Sequence, residues 1–335
     1  MISNNSEAFL NFNETTAVPG IVTPYWDGAD TEDGISVTEN LTKNWQYYVS
    51  HVGEKMVIVS VFNVIGNATI LLLILCRPTF RKPANYLIGN LSAASLLYMT
   101  AVMVHRLERS EGLWSYGPRT CRIIPVLHKI PGSVVSLTLM SISSDRSRII
   151  RNPFESSKIT PVGRIITIWL LSVFIVLPYG IAKRFEETKP EHYKCIKVPL
   201  WNNPLYNILY GLVALAVIHI IPAFVLLKDV CKMLSTMKFL SLWPRQVWKN
   251  EDRRVTLMRN ACIYALIFTV CWLPTGICRF FLDLPPGVIS RPLRDNFRYY
   301  WEGLRYVGYV YVALHPLLLF LLSHDLRQHI SLCCV

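Results

Sequence analysis

The stretch "CRIIPVLHKIPGSVVSLTLMSISSDRSRIIRNP", residues 121–153, decides the fold of this chain. Its residues 130–144 carry no charge, and an acid and a base, Asp145 and Arg146, close the run. The apolar part, 123–144, is long enough to cross a bilayer as a helix, which takes roughly 20 apolar residues. Of the 335 residues, 52% are hydrophobic and only 17% are charged. We therefore predict a membrane protein.

Six further apolar stretches have a similar length, so the sequence predicts an all-α bundle of seven transmembrane helices within residues 51–322. The predicted spans are 56–76, 86–104, 123–144, 165–182, 205–227, 260–282 and 306–322. After the last span, "LSHDLRQHISLCC" places Leu326 and Ile330 on one face of a short amphipathic helix. We assign 323–335 to this cytoplasmic helix and a cysteine tail.

The formal net charge of +12 is spread over the loops after spans one, three and five. A nucleic-acid-binding protein would concentrate its basic residues in one patch, so we exclude nucleic acid as a partner. The positive-inside rule makes these loops cytoplasmic. We predict a multi-pass plasma-membrane protein with its N-terminus outside and its C-terminus inside.

Residues 1–50 form a polar, acidic segment that we expect to be extracellular and disordered. It holds glycosylation sequons at Asn4, Asn13 and Asn40, which we expect to be used. The sequons at Asn67 and Asn90 lie inside spans and should stay unmodified. No signal-peptide core precedes the first span, so we expect that span to target the chain to the membrane.

Two cysteine pairs are singled out by this topology. Cys121 and Cys195 both lie on the outer side, where an oxidising compartment permits a disulfide. Cys333 and Cys334 follow the amphipathic helix on the inner side and form a predicted palmitoylation site, with two unmodified thiols as the alternative. No Cys or His cluster has metal-ligand spacing, and we predict no metal and no cofactor.

Prolines and polar residues inside the spans indicate a bundle built around a cavity. Neighbouring helices can satisfy a carbonyl freed by proline, so kinks are tolerated in membranes. The prolines are Pro131, Pro178, Pro222, Pro274 and Pro316. Polar residues at membrane depth normally face the interior. They are Asn67, Asn90, Ser95, His128, Lys129, His219 and His315.

One motif in each span resembles the rhodopsin-like class of G-protein-coupled receptors. The motifs are Gly66-Asn67, "NYLIGNLSAA", Cys121 with Cys195, "SDR" at 144–146, Trp169, Pro222, "CWLP" at 271–274 and His315-Pro316. The 121–153 stretch and "YYWEGLRYVGYVYVALHPLLLFLLSHDLRQHISLCC" more narrowly resemble bombesin-type peptide receptors and the arthropod CCHamide receptors. The class implies a receptor and not an enzyme.

The resemblance implies that Asp145 holds Arg146 while the receptor is inactive and releases it toward the G protein on activation. The alternative is that the two charges only anchor the helix end at the membrane surface. The resemblance also implies an activation switch, which comprises Trp272, Pro274, Pro222, His315 and Pro316.

Several positions depart from the family pattern. Ser95 stands where span two usually has Asp, and Ser147 stands where Tyr usually follows Arg146. In span seven, His315 stands in place of the usual Asn, and in span three, Val135 stands in place of a small polar residue. Without a carboxylate, the family's sodium pocket has no anionic oxygen to offset dehydration of the cation. We predict little allosteric effect of sodium. The same departures leave open a receptor that couples weakly or signals without agonist.

The outer third of the predicted bundle is mainly cationic. We predict that the ligand-binding residues are Arg106, His128, Lys129, Arg279, Glu302 and Arg305. Span three lacks the Asp of amine receptors and span seven lacks the Lys of opsins, so a peptide fits best. Such a peptide would present an amidated C-terminus or an acidic side chain. The alternative is that these cations reach lipid headgroups or water.

The sequence therefore predicts a receptor for an extracellular neuropeptide that activates heterotrimeric G proteins, with arrestin and membrane lipid as further partners. A transporter would show paired broken helices or an internal repeat, and we find neither. An intramembrane enzyme would need a nucleophile with a base, or a metal cluster. A non-coupling or constitutively active orphan or decoy receptor with a non-peptide ligand stays open.

Overall fold

The computed structural model describes residues 56–81, 83–110, 114, 117–151, 160–189, 192–240, 251–285 and 287–322. Its helices are α1 (Met56–Cys76), α2 (Pro83–Ser110), α3 (Gly117–Arg151), α4 (Pro161–Ile181), α5 (Pro204–Leu215), α6 (Ile221–Leu240), α7 (Glu251–Asp283) and α8 (Arg291–Leu322). A single 3-10 turn, Pro78–Phe80, follows α1. A π turn, Ala216–Ile220, joins α5 to α6, so these two helices form one continuous rod.

Length and composition make this a helical membrane bundle. In the described part of the chain, six helices are long and apolar enough to span a membrane. They are Met56–Cys76, Asn85–Val104, Gly117–Arg148, Pro161–Ile181, Pro204–Lys238 and Arg259–Asp283. The predicted seventh span forms the C-terminal half of α8, which is not one of these six. Apolar side chains such as Phe174 and Val270 point outward with exposures of 78% and 71%, as expected for surfaces that face lipid.

Helix starts follow from local sequence. The side chain of Thr160 accepts a hydrogen bond from the Gly163 amide and caps α4, with Pro161 in the first turn. Asn203 caps α5 in the same way. Such caps satisfy amides that lack a partner within the helix, and proline fits the first turn because its missing N–H is not needed there.

The core lies around α3, which packs against α2, α4 and α6. It includes Leu91, Val134, Leu226, Phe268 and Tyr309, each at most 2% exposed. A polar contact also ties three helices together. The side-chain amide of Asn90 donates to Thr138 Oγ1 at 2.8 Å and accepts from Trp169 Nε1 at 2.8 Å. Direct bonding of this kind satisfies polar groups where water is scarce.

Between α4 and α5 the chain forms a two-stranded antiparallel hairpin, β1 (Lys183–Lys189) and β2 (His192–Lys197). The sequence analysis did not predict it. A disulfide joins Cys195 of β2 to Cys121 of α3, with the Cα atoms 5.5 Å apart, which confirms the predicted bridge. We call this end of the bundle the hairpin end, and the opposite end, where α3 carries Asp145, the Asp145 end.

Candidate functional site

Lysine and arginine side chains meet aromatic rings at the hairpin end. Lys129 of α3 places Nζ 4.0 Å from the ring centroid of Tyr179 in α4. The guanidinium groups of Arg279 in α7 and Arg305 in α8 lie 5.5 and 5.7 Å from the ring centroid of Trp301. Cations attract aromatic faces at such distances, and more strongly where water is scarce. Three predicted ligand residues therefore lie against two aromatic rings at this end.

Arg279 also forms an ion pair with two hydrogen bonds at this end. It donates from Nε and Nη2 to the two carboxylate oxygens of Asp283 at 2.9 and 2.8 Å. Asp283 stands four residues later on the same helix, where side chains face each other, and it also receives Lys197 Nζ at 3.1 Å. The sequence analysis missed Tyr179, Asp283, Lys197 and Trp301. Only the spacing of Arg279 and Asp283 was visible in the sequence.

His128, another predicted ligand residue, stacks on Tyr98 of α2 with ring centroids 5.3 Å apart. Tyr98 also touches Trp272 of α7 at 5.8 Å between ring centroids. His128 therefore faces the interior of the bundle and reaches the predicted switch residue Trp272 through one ring. Arg106 and Glu302 lie on α2 and α8, but their side chains fall outside the described part of the structure.

Trp272 and Pro274 belong to α7, and Trp272 lies beside the π turn of the α5–α6 rod. Its ring centroid is 6.3 Å from that of His219 and 5.7 Å from that of Phe268. The π turn is braced by α3, because Ser136 Oγ donates to the Ile218 carbonyl at 2.5 Å. Single π turns inside α-helices occur frequently at functional sites.

Glycine permits the close approach of the π turn to α7. A Cβ atom added to Gly276 would lie 2.3 Å from the ring of His219. Pro222, a further predicted switch residue, follows the π turn at the start of α6 and is buried. Two predicted residues, Trp272 and Pro222, thus lie beside one irregular segment of the rod.

His315 and Pro316 of α8 lie in the interior, near α1 and α7. His315 is 1% exposed, and its ring centroid is 5.3 Å from that of Tyr264. Pro316 touches α1 so closely that a Cβ atom on Gly66 would lie 2.7 Å away. Both residues therefore pack at helix contacts, and their switching role stays a prediction.

Near Ser95, one position of the predicted sodium pocket, the described polar groups are amides and hydroxyls, and Asn63 Nδ2 donates to the Ser95 carbonyl at 3.4 Å. Asn67 donates to the backbone and side-chain oxygens of Asn63 at 3.0 and 2.9 Å. Ser95 is 1% exposed and donates to the Leu91 carbonyl at 2.8 Å. Among the described residues, no group of three or more His, Cys, Asp or Glu side chains has the geometry of a metal site.

At the opposite end of the bundle, the acid of the predicted latch meets a base from another helix. Asp145 accepts a hydrogen bond from Arg164 of α4, and the two side chains form an ion pair with 18% of each exposed. The preceding residue, Ser144, donates to Asp229 of α6 at 2.9 Å. The sequence analysis named neither Arg164 nor Asp229 as a partner. The latch between Asp145 and Arg146 stays a prediction.

Some predicted sites fall outside the described residues. They are the glycosylation sites Asn4, Asn13 and Asn40 and the palmitoylation site Cys333 and Cys334. The predicted amphipathic helix at 323–335 and the acidic segment at 1–50 also lie outside them. These assignments stay predictions.

Comparison with known proteins identifies the family. The profile described as "7 transmembrane receptor (rhodopsin family)" matches residues 66–318. The human neuropeptide Y receptor type 2 is 24% identical over 236 residues, which cover 68% of this chain and 62% of that receptor. The substance-K receptor of Canis lupus familiaris is 27% identical over 225 residues, covering 63% of this chain and 57% of that receptor. The matched part thus spans less than two thirds of these relatives.

The narrower resemblance to bombesin-type and CCHamide receptors stays a prediction. The profile covers the described helices from the second half of α1 to most of α8, and its members are receptors and not enzymes. By this match the chain belongs to the rhodopsin family of seven-transmembrane receptors, as a divergent member.

Proposed function

We propose that this chain is a plasma-membrane receptor that binds an extracellular peptide at the hairpin end and activates heterotrimeric G proteins at the Asp145 end. The observation that carries the proposal is the convergence of Lys129, Arg279 and Arg305 on aromatic rings. Arginine and aromatic side chains dominate the energetics of peptide and protein recognition. The names of the neuropeptide Y and substance-K receptors give independent support for a peptide.

The disulfide and the basic loops support this orientation. Disulfides persist in oxidising compartments, which fits an extracellular hairpin end. Basic residues follow α3 and α6, which fits a cytoplasmic Asp145 end. Glycosidase treatment of the cell-surface protein should increase its gel mobility, and replacing Asn4, Asn13 and Asn40 with Gln should abolish this change. An unchanged mobility of the wild-type chain would contradict the predicted glycosylation.

Coupling is proposed to depend on Asp145 and Arg146. In the structure, Asp145 of α3 pairs with Arg164 of α4, so its carboxylate stands between two helices. A partly desolvated ion pair is sensitive to small helix movements, because its energy depends on the local dielectric. A shift of α3 relative to α4 would therefore change how firmly Asp145 holds Arg146. Arrestin and membrane lipid are proposed as further partners at this end.

The test is a G-protein activation assay in cells that express the chain, screened with amidated and disulfide-bridged neuropeptides. We expect a peptide response that Arg146→Ala removes and that Arg148→Ala, a matched change on the same helix, leaves intact. Arg305→Ala should abolish agonist potency at unchanged surface expression, whereas Arg298→Ala, 62% exposed on the same helix, should not. Equal responses of wild type and Arg146→Ala would contradict coupling through this residue.

A second candidate function is a non-coupling or constitutively active decoy receptor with a non-peptide ligand. Ser147 and His315 favour it, because both are buried at positions where the family usually has other residues. This function predicts no peptide response, with basal G-protein activity that is either equal to that of Arg146→Ala or high without ligand. Arrestin recruitment would then be the next measurement.

A further inference from the structure

Three lysines converge on a single aromatic ring at the hairpin end. The Nζ atoms of Lys129, Lys183 and Lys197 lie 4.0, 5.3 and 5.7 Å from the ring centroid of Tyr179. Arg279 joins them, since its Nη2 donates to the Tyr179 hydroxyl at 3.3 Å. Together with Asp283, these residues form what we call the Tyr179 cluster. The lysines come from α3, β1 and β2, so three segments bring positive charge to one place.

Asp283 supplies the carboxylate of the Tyr179 cluster, and this carboxylate is already paired with basic side chains. Arg279 donates to both of its oxygens, and Lys197 approaches the same Oδ1 atom that Arg279 Nη2 contacts. Only 22% of its side chain is exposed. A carboxylate paired in this way offers little to a cation that arrives from outside, because that cation would have to displace an existing partner.

Lys129 differs from Arg279 and Lys197, because no anion among the described residues lies within ion-pair distance of its Nζ atom. It extends from α3 and lies over the face of Tyr179, which is buried. A charged group inside a membrane bundle normally pairs with an opposite charge. Lys197 and Arg279 pair with the single carboxylate of Asp283, so these two cations, Asp283 and Lys129 together carry a net charge of +2 when ionised. One or two negative charges from a ligand would balance these four groups.

We propose that the Tyr179 cluster binds an anionic oxygen group of the ligand, a carboxylate or a sulfate ester, with Lys129 as its main partner. Asp283 then acts as an internal anion that holds Arg279 and Lys197 in place and competes with the ligand for them. This inference rests on the proposed function only in that ligands enter the bundle at the hairpin end. A cationic ligand group is disfavoured, because it would meet several positive charges and one occupied carboxylate.

The experiment measures binding of small probes to the purified full chain in lipid nanodiscs by ligand-observed NMR. N-acetylphenylalanine carries a carboxylate, N-acetyl-O-sulfotyrosinamide a sulfate ester, N-acetyltyrosinamide no charge and N-acetylargininamide a positive charge. We expect at least one anionic probe to bind and the other two probes to stay unbound. The stronger of the two anionic probes identifies the group that the natural ligand carries.

Matched variants assign the binding to the Tyr179 cluster. Lys129→Gln should weaken binding of the anionic probe by about tenfold, whereas Lys129→Arg should preserve it, because arginine keeps the charge. Asp283→Asn should strengthen binding by about fivefold, because it removes the competing anion. Lys238→Gln, near the opposite end of the bundle, should have no effect. If Lys129→Gln fails to fold, Lys197→Gln provides the same comparison.

Three results would overturn the proposal. In the first, wild type and Lys129→Gln bind the anionic probes equally well. In the second, wild type prefers N-acetylargininamide and Asp283→Asn abolishes that binding. In the third, neither anionic probe binds at concentrations up to ~10 mM. The NMR measurement involves no G protein. If the probes bind but no peptide stimulates signalling, the proposed function is contradicted and the proposed anion site is supported. If a peptide stimulates signalling but no anionic probe binds, the proposed function is supported and the anion site is contradicted.

Discussion

The ion pair between Arg164 and Asp145 should be measurable as a coupling free energy, which Arg164→Gln removes. Two unit charges about 4 Å apart attract each other by about 4 kcal/mol at an effective dielectric constant near 20. Each side chain is 18% exposed, so lost hydration and side-chain ordering offset a large part of this attraction. We expect a net coupling of about 1–2 kcal/mol, between the values typical of exposed and of fully buried pairs.

The assay is a double-mutant cycle on protein in lipid nanodiscs, with Asp145→Asn, Arg164→Gln and the combined variant, read by thermal unfolding. Each single change should lower the Tm by about 4 °C. The combined variant should fall little further, because the second change removes no additional contact. Arg148→Gln, one turn further along α3, is the matched control. Additive losses, with a coupling below about 0.3 kcal/mol, would refute the reasoning.

The same variants report on signalling. Arg164 pairs with Asp145 in the structure, so under the proposed latch Arg164→Gln would leave that carboxylate to Arg146. Basal G-protein activation should then fall, by a factor of about 5–30 if the whole coupling is transferred to the latch. Arg164→Lys keeps the positive charge and should stay closer to wild type. A rise in basal activity with Arg164→Gln would show that the α3–α4 ion pair itself keeps the receptor inactive.

Three further outcomes are expected. Replacing sodium with N-methylglucamine should leave the Tm unchanged, because the pocket presents amides and hydroxyls in place of a carboxylate; a sodium-dependent increase would contradict this. Gly66→Ala should lower the stability of the protein by about 1–3 kcal/mol, because the added Cβ atom would lie 2.7 Å from Pro316. Gly303→Ala is the control and should not lower the stability, because open space surrounds Gly303. Thermal unfolding followed by circular dichroism compares the two variants. Cys195→Ser opens the loop of 74 residues that the disulfide closes, and it should lower the stability by about 4 kcal/mol. We expect the variant to lose surface expression, whereas the control Cys76→Ser should be expressed like wild type.

Features determined by local composition were predictable from the sequence. The six spans found in the structure overlap the first six predicted ones, because apolar length alone decides whether a helix can cross a bilayer. The disulfide was predictable because the topology placed Cys121 and Cys195 on one side of the membrane. Four of the six predicted ligand residues have described side chains, and these lie near the hairpin end or in the interior below it.

Features that depend on distances between helices were not predictable. Arg164 was one of several basic residues after span three, and nothing in its local sequence indicated that it contacts Asp145. The π turn leaves the apolar pattern of the α5–α6 rod unchanged, so periodicity does not show it. The ion pair of Asp283 with Lys197 joins α7 to β2, and the two residues are 86 positions apart in the chain. Such contacts follow from helix packing and not from propensity.

The aromatic residues show how motifs that are separate in the sequence become one packed series. Seven rings contact one another in order, with centroids 5.3–6.2 Å apart: His128, Tyr98, Trp272, Phe268, Tyr311, Tyr264 and His315. The four contacts among the tyrosine, tryptophan and phenylalanine rings each contribute about 0.5–1.5 kcal/mol beyond the buried area. A close-packed interior cannot absorb the displacement of one ring without moving its neighbours. Under the proposed function, a ligand that shifts His128 would act on a series that ends at His315, and the departure from the family pattern at His315 would bear on how ligand binding is transmitted.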